Sequence, residues 1–201
     1  MVITKITLQQ KDTQRANIFI DGTYELSLTI DQVLEQKLKV GVNVDELALK
    51  RLRKLSEDGK VQARALEWCL SRPRSSKELR DYLYKKGASQ ELSDSICHTF
   101  ALKKYQDDDY FTKWWIENRV RKNKSNLSIK TELKQKGIND ELITKNLQVE
   151  TTPKIRLKNL IVLKRLQTKY PDENKLKQYL AGKGFYYSDI VEVLAELKEG
   201  A

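Results

Sequence analysis

His98, in the segment SICHTF, is the one histidine of the chain and the first candidate for proton-transfer chemistry. A catalytic imidazole needs a nucleophile, a metal or an orienting carboxylate within reach. Its segment is patterned as a helix and offers neither a nucleophile nor a metal partner. Asp107, Asp108 and Asp109 make a run of carboxylates that a divalent cation would accept, yet they stand immediately ahead of a helical pattern. Carboxylates in that place cap the free N–H groups of the first turn and meet the positive end of the helix dipole. Cys69 and Cys97 lack metal-ligand spacing and lie in apolar-patterned segments, which reads as buried, reduced thiols of a cytoplasmic protein. Neither G-x-x-x-x-G-K-[ST] nor G-x-G-x-x-G occurs, so no phosphate-cradling glycine loop is available. No catalytic, cofactor-binding or metal-ligating set is expected, and the chain reads as a non-enzyme.

What the residues do offer is distributed positive charge. With 38 Lys and Arg against 28 Asp and Glu, the net charge is +10. The surplus is uneven: residues 58–106 and 151–201 each carry +4, residues 1–57 and 107–150 only +1. The contact candidates are Arg72, Arg74, Lys77 and Arg80; then Arg119, Arg121, Lys122 and Lys124; then Lys154, Arg156 and Lys158. Such a surplus attracts polyanions, either nucleic acid or a protein wrapped around it. A further cluster, Lys50, Arg51, Arg53 and Lys54, reads as the solvated face of a helix. Phe111, Trp114 and Trp115 are spaced for a helical core, which places Phe111 and one tryptophan inside. The tryptophan left outside is an interface candidate.

These residues need elements to hold them. The composition, 39% hydrophobic and 33% charged with three prolines and eight glycines, describes a folded, helix-rich chain. The first thirty or so residues differ. VITKITLQQ alternates on a period of two, with a slip between Ile3 and Ile6, and ANIFIDGTYELSLT offers two strands joined at Asp21-Gly22. That pair predicts a hairpin and, with the first segment, a three-stranded meander. Helices follow, one capped by Asp31 and one opened by Asn43 or Asp45, the second burying Val44, Leu47, Leu49, Leu52 and Leu55.

From residue 58 a repeat replaces the strands. Gly87, Gly137 and Gly184 each follow a lysine. Leucine stands four residues earlier (Leu83, Leu133, Leu180), and Leu79, Ile129 or Leu176 eight earlier. Ser75, Ser125 or Asp172 stands twelve earlier, and Ala88, Ile138 or Phe185 follows each glycine. This describes a capped helix with a narrow apolar seam and a left-handed stop. Amphipathic segments flank it on both sides, so each unit is three helices. The expected fold is mostly α: tandem three-helix repeats at 58–106, 107–150 and 151–201 in an elongated curved array, preceded by an N-terminal β-meander with helices at 1–57. No apolar run is long enough for a membrane span, and the first residues lack a secretory pattern.

ALEWCLSRPRSSKELRDYLYKKG (65–87) resembles the first-repeat signature of the RecX family, regulators of the RecA recombinase. DDDYFTKWWIENRVRKNKSNLSIKTELKQKGI (107–138) is similar to its second-repeat signature, and ANIFIDGTYELSL with LKVGVNVDE to the region before the repeats. The third unit departs more, with Lys175 in place of the capping-box acid and Pro171 beside the turn. The resemblance implies a cytoplasmic, monomeric, cofactor-free protein. It implies binding to the RecA filament on single-stranded DNA, along its groove, and suppression of ATP hydrolysis, strand exchange and coprotease activity. Direct contact with single-stranded DNA would add a weaker, salt-sensitive contribution. The competing reading is a helix–turn–helix-like DNA-binding module acting without RecA. Against it, KELRDYLYKK mixes acids with bases and offers little base-reading chemistry.

Overall fold

The computed structural model describes residues 1–10, 12–148 and 152–199. The chain begins with an antiparallel meander of β1 (Ile3–Leu8), β2 (Arg15–Ile20) and β3 (Thr23–Thr29), in that order. Asp21 and Gly22 both take positive φ, 49° and 84°, the geometry a two-residue turn needs to match strand twist. The β1–β2 register shifts between Ile3 and Lys5, which is the physical form of the slip in the alternation. Ile3, Ile18, Ile20, Leu26 and Leu28 pack against Val44, Leu49 and Leu52.

Two helices follow. α1 (Ile30–Glu35) is capped by Thr29 rather than Asp31. Thr29 accepts from the Gln32 N–H and Gln32 accepts from the Thr29 N–H, so both orphan donors are met where β3 ends. α2 spans Glu46–Leu70 and starts on Asp45, whose side chain accepts from the Ala48 N–H at 2.7 Å. Leu47 is 59% exposed, outside the buried stripe expected of it. The boundary expected at 57/58 falls inside this unbroken helix. Gly59 does not end it. The glycine is buried, and a Cβ there would lie 3.4 Å from the Arg15 guanidinium and the Gln32 amide. Arg15, itself 6% exposed, donates to the Ser27 carbonyl at 2.8 Å. Glycine is therefore kept for close approach, against its low helix propensity.

Among the described residues, the repeat region is helical apart from its turns. α3 (Ser76–Lys85) and α4 (Gln90–Leu102) come first, then α5 (Asp108–Val120), α6 (Asn126–Gln135) and α7 (Asp140–Gln148). α8 (Pro153–Leu163), α9 (Leu166–Lys169), α10 (Glu173–Gly182) and α11 (Tyr187–Glu199) complete the chain. α8 and α9 are separated by a break at Arg165, which sits at φ 47°. The three stops share one motif. Ala88, Ile138 and Phe185 donate to the carbonyls of Leu83, Leu133 and Leu180, and Gly87, Gly137 and Gly184 lie at φ 75°, 81° and 83°. This is the Schellman cap, which satisfies otherwise orphaned carbonyls and turns an apolar residue back onto the last turn. The seam leucines and isoleucine are all buried.

The chain divides into two compact units. One holds Met1–Leu70 with Asp81–Thr99; the other holds Ser71–Arg80 and the chain from Phe100 onward. In the second unit, Phe111, Trp115, Ile116, Ile129, Leu133, Ile138 and Ile143 form one core. Leu157, Ile161, Leu166, Leu176, Leu180, Phe185 and Ile190 belong to another.

Candidate interaction surface

The residues weighed first for chemistry are dispersed. His98 is exposed on α4. Asp107 caps α5, accepting from the Asp109 and Tyr110 N–H groups. Burial pushes its carboxyl up, but those bonds and the Lys104 ammonium outweigh it and hold the group below the ordinary value. Asp108 turns to Ser76, accepting from its N–H at 2.8 Å and its hydroxyl at 2.6 Å. Asp109 pairs with Lys113 and Lys145. No group of three or more metal-ligating side chains occurs among the described residues.

The cationic candidates divide into three kinds. Arg72 and Arg119 are half-buried and engaged. Arg72 donates to both Glu78 oxygens at 3.2 Å and to the Pro73 carbonyl at 2.7 Å, and its guanidinium lies 5.5 Å from the Trp114 ring centre. Arg119 pairs with Glu132 and lies 4.0 Å from the centre of the Trp115 ring. Trp115 is the buried tryptophan and Trp114 the half-buried one. Arg156 departs furthest from an exposed contact residue, being only 2% exposed. It donates to the Lys124 carbonyl and to the Asn126 side chain, both at 2.6 Å. Its charge is spent on joining two repeats.

The remaining candidates lie at or near solvent. Arg74 is half-buried and donates to the Ser71 hydroxyl at 3.1 Å. Lys77, Arg80, Arg121, Lys122 and Lys124 are exposed. Lys154 and Lys158 are exposed too, but pair along α8 with Glu192 and Glu196 of α11. Arg121, Lys122 and Lys124 follow one another closely across the turn from α5 to α6, and so form the densest solvent-facing set among the candidates.

The repeats also reveal how they are joined inside the second unit, which sequence periodicity alone did not disclose. Ser75 accepts from the Glu78 N–H and donates to the Lys136 carbonyl at 2.8 Å. Ser125 accepts from the Ser128 N–H and donates to the Lys183 carbonyl at 2.7 Å. The serine that caps one repeat's middle helix thus also caps the C-terminal end of the next. Glu78 stands three residues after the Ser75 cap, where a capping-box acid would stand, but its carboxylate receives Arg72 and the Lys136 ammonium, the latter at 2.7 Å. Burial pushes Glu78 up, but these two cations prevail and hold it below its ordinary value. The signal was present in the sequence as serine at fixed distance from Lys-Gly, but its meaning depends on which repeat lies against which.

Three family profiles match successive parts of the chain. Residues 1–45 match the profile described as "Regulatory protein RecX N-terminal domain". Residues 63–98 match "RecX, first three-helix domain" and residues 107–147 "RecX, second three-helix domain". The regulatory protein RecX of Bacillus licheniformis is 34% identical over 96% of this chain and 76% of its own length. That of Clostridium acetobutylicum is 30% identical over 97% of this chain and 95% of its own. A crystal structure of a regulatory protein RecX superposes with a TM-score of 0.79 at 22% identity, covering 96% of this chain and 98% of that one. A second, from Lactobacillus salivarius, gives 0.63 at 23% over 71% of this chain and 97% of that one. At those identities the two structures establish a shared fold.

Proposed function

The chain belongs to the RecX family, and from that membership we propose that it binds the RecA filament on single-stranded DNA and restrains RecA. The restrained activities are ATP hydrolysis, strand exchange and coprotease function. In this reading it is a cytoplasmic, monomeric, non-enzymatic protein. No helix among the described residues is long and apolar enough to cross a membrane. The observation that carries the reading is the ordered succession of three RecX profiles along one chain, on a scaffold whose cations include a solvent-facing set at Arg121, Lys122 and Lys124.

The physical logic is that of many modest contacts. Exposed lysines and arginines supply long-range attraction to an acidic or DNA-bearing surface. Repeats that share caps from one to the next hold those cations on a common support, so less ordering entropy is lost on binding. A protein bridging neighbouring filament subunits would oppose the changes at their interface that accompany ATP turnover. The test is a titration of RecA's DNA-dependent ATP hydrolysis. Hydrolysis and strand exchange are expected to fall at or below one molecule per RecA, and no change at equimolar protein would sink the reading.

A further inference from the structure

The two serine-linked junctions are built alike but charged differently. In the first, Glu78 receives the Lys136 ammonium. In the second, Lys183 occupies the place of Lys136, and Ser128 occupies the place of Glu78, nine residues before its glycine. A hydroxyl has replaced the carboxylate. Ser128 donates to the Lys183 carbonyl at 2.9 Å, while the Lys183 ammonium lies 5.1 Å from the centre of the Tyr179 ring.

Beside it opens a cleft of about 140 Å³, lined by Lys122, Lys124, Lys164 and Lys183 together with Asn123 and Ser128. Among the described residues, no carboxylate lines it. Lys124 is 3.8 Å from Glu132, and the other three lysines have no ion-pair partner among the described residues. Four lysines with one carboxylate near them leave a net positive charge that raises the local potential and draws in an anion.

We propose that this cleft binds the phosphate backbone of single-stranded DNA. Lysines are point charges on flexible stems, without the fixed fork with which arginine grips one compact anion. Spread around an open cleft, they suit a strand's succession of single charges. The wall includes Phe185 and the half-buried Tyr179, and Tyr186, 64% exposed, lines a separate hollow with Asn126 and Lys130. An exposed ring on the same repeats suits an unpaired base, which duplex DNA does not present. The proposal deepens the filament reading and rests on it for its biological setting, but its test uses naked DNA, so either can fail alone.

The measurement is fluorescence anisotropy of a labelled oligothymidylate with the full chain and no recombinase. Lys164→Glu with Lys183→Glu should weaken binding at least tenfold at low salt. It should also make the plot of log affinity against log salt shallower by about 1.4, two contacts at roughly 0.7 each. Lys39→Glu with Lys50→Glu, exposed in the first unit and equal in charge change, should alter affinity less than twofold. Ser128→Glu, which restores the first junction's carboxylate, should weaken binding at least fivefold without lowering the melting temperature. Should the charge reversal unfold the chain, Lys164→Gln with Lys183→Gln should still cost about threefold. Equal losses in both reversals, or wild-type affinity in Ser128→Glu, would overturn the site. Displacement of the strand by millimolar inorganic phosphate at constant ionic strength would overturn the assignment to DNA.

Discussion

At the scale of single residues, the glycines that stop the repeated helices are alike in φ but not in surroundings. Gly87 has nothing within 4 Å of where a Cβ would stand, whereas at Gly137 that carbon would lie 2.7 Å from the Lys77 Cβ. Gly87→Ala should therefore cost only the left-handed strain, about 1–2 kcal/mol. Gly137→Ala should cost that plus about 1–3 kcal/mol of overpacking, because a β-carbon cannot swing away. Urea unfolding of the two variants checks this, and equal losses would contradict it. Glu78 gives a pH signature. Its folded pKa lies below the ordinary 4.5, so its stabilisation is complete above that value and is lost as pH falls through the depressed one. Glu78→Gln should be less stable than the parent at neutral pH, and its stability should fall less between about pH 5 and pH 3. A parallel fall in both proteins would show that the carboxylate is not held by Arg72 and Lys136.

Among the elements, those written in local chemistry were legible in the sequence. The meander followed from alternation and Asp21-Gly22, and the repeats followed from a cap, a seam and a Schellman stop, each complete within thirteen or so residues. What misled was context. The boundary expected at 57/58 falls beside Gly59 inside one helix, because burial of that glycine against Arg15 and Gln32 outweighs its low helix propensity. Thr29 displaced Asp31 as a cap because β3 delivers the chain in extended form to that residue. Arg156 looked like surface charge and is a buried link between repeats, which no spacing within its own helix could disclose. Its removal should be costly: Arg156→Ala leaves the Lys124 carbonyl and Asn126 without their donor, an expected loss of about 2–4 kcal/mol. Lys154→Ala, exposed and paired only with Glu192 among the described partners, should cost less than about 1 kcal/mol. Thermal or urea unfolding separates the two, and comparable losses would contradict the assignment of Arg156 to the junction.

For the whole molecule, the family was legible from two signatures in the repeats, while the division of labour among its cations was not. Charge counting cannot distinguish an arginine stacked on tryptophan from a lysine facing solvent. The structure draws that line within the second unit, with Arg72, Arg119 and Arg156 spent on the scaffold and Arg121, Lys122 and Lys124 facing outward. Reversing the charge of Arg121, Lys122 and Lys124 together should therefore weaken filament binding at least tenfold while leaving the fold intact, and the salt dependence should become shallower. The central claim is association with the filament itself. It is met most directly by co-sedimentation of the protein with RecA preassembled on single-stranded DNA, beside DNA alone and RecA alone. The account predicts saturable recovery with the filament that exceeds recovery with either component. Recovery no greater with the filament than with bare DNA would contradict it.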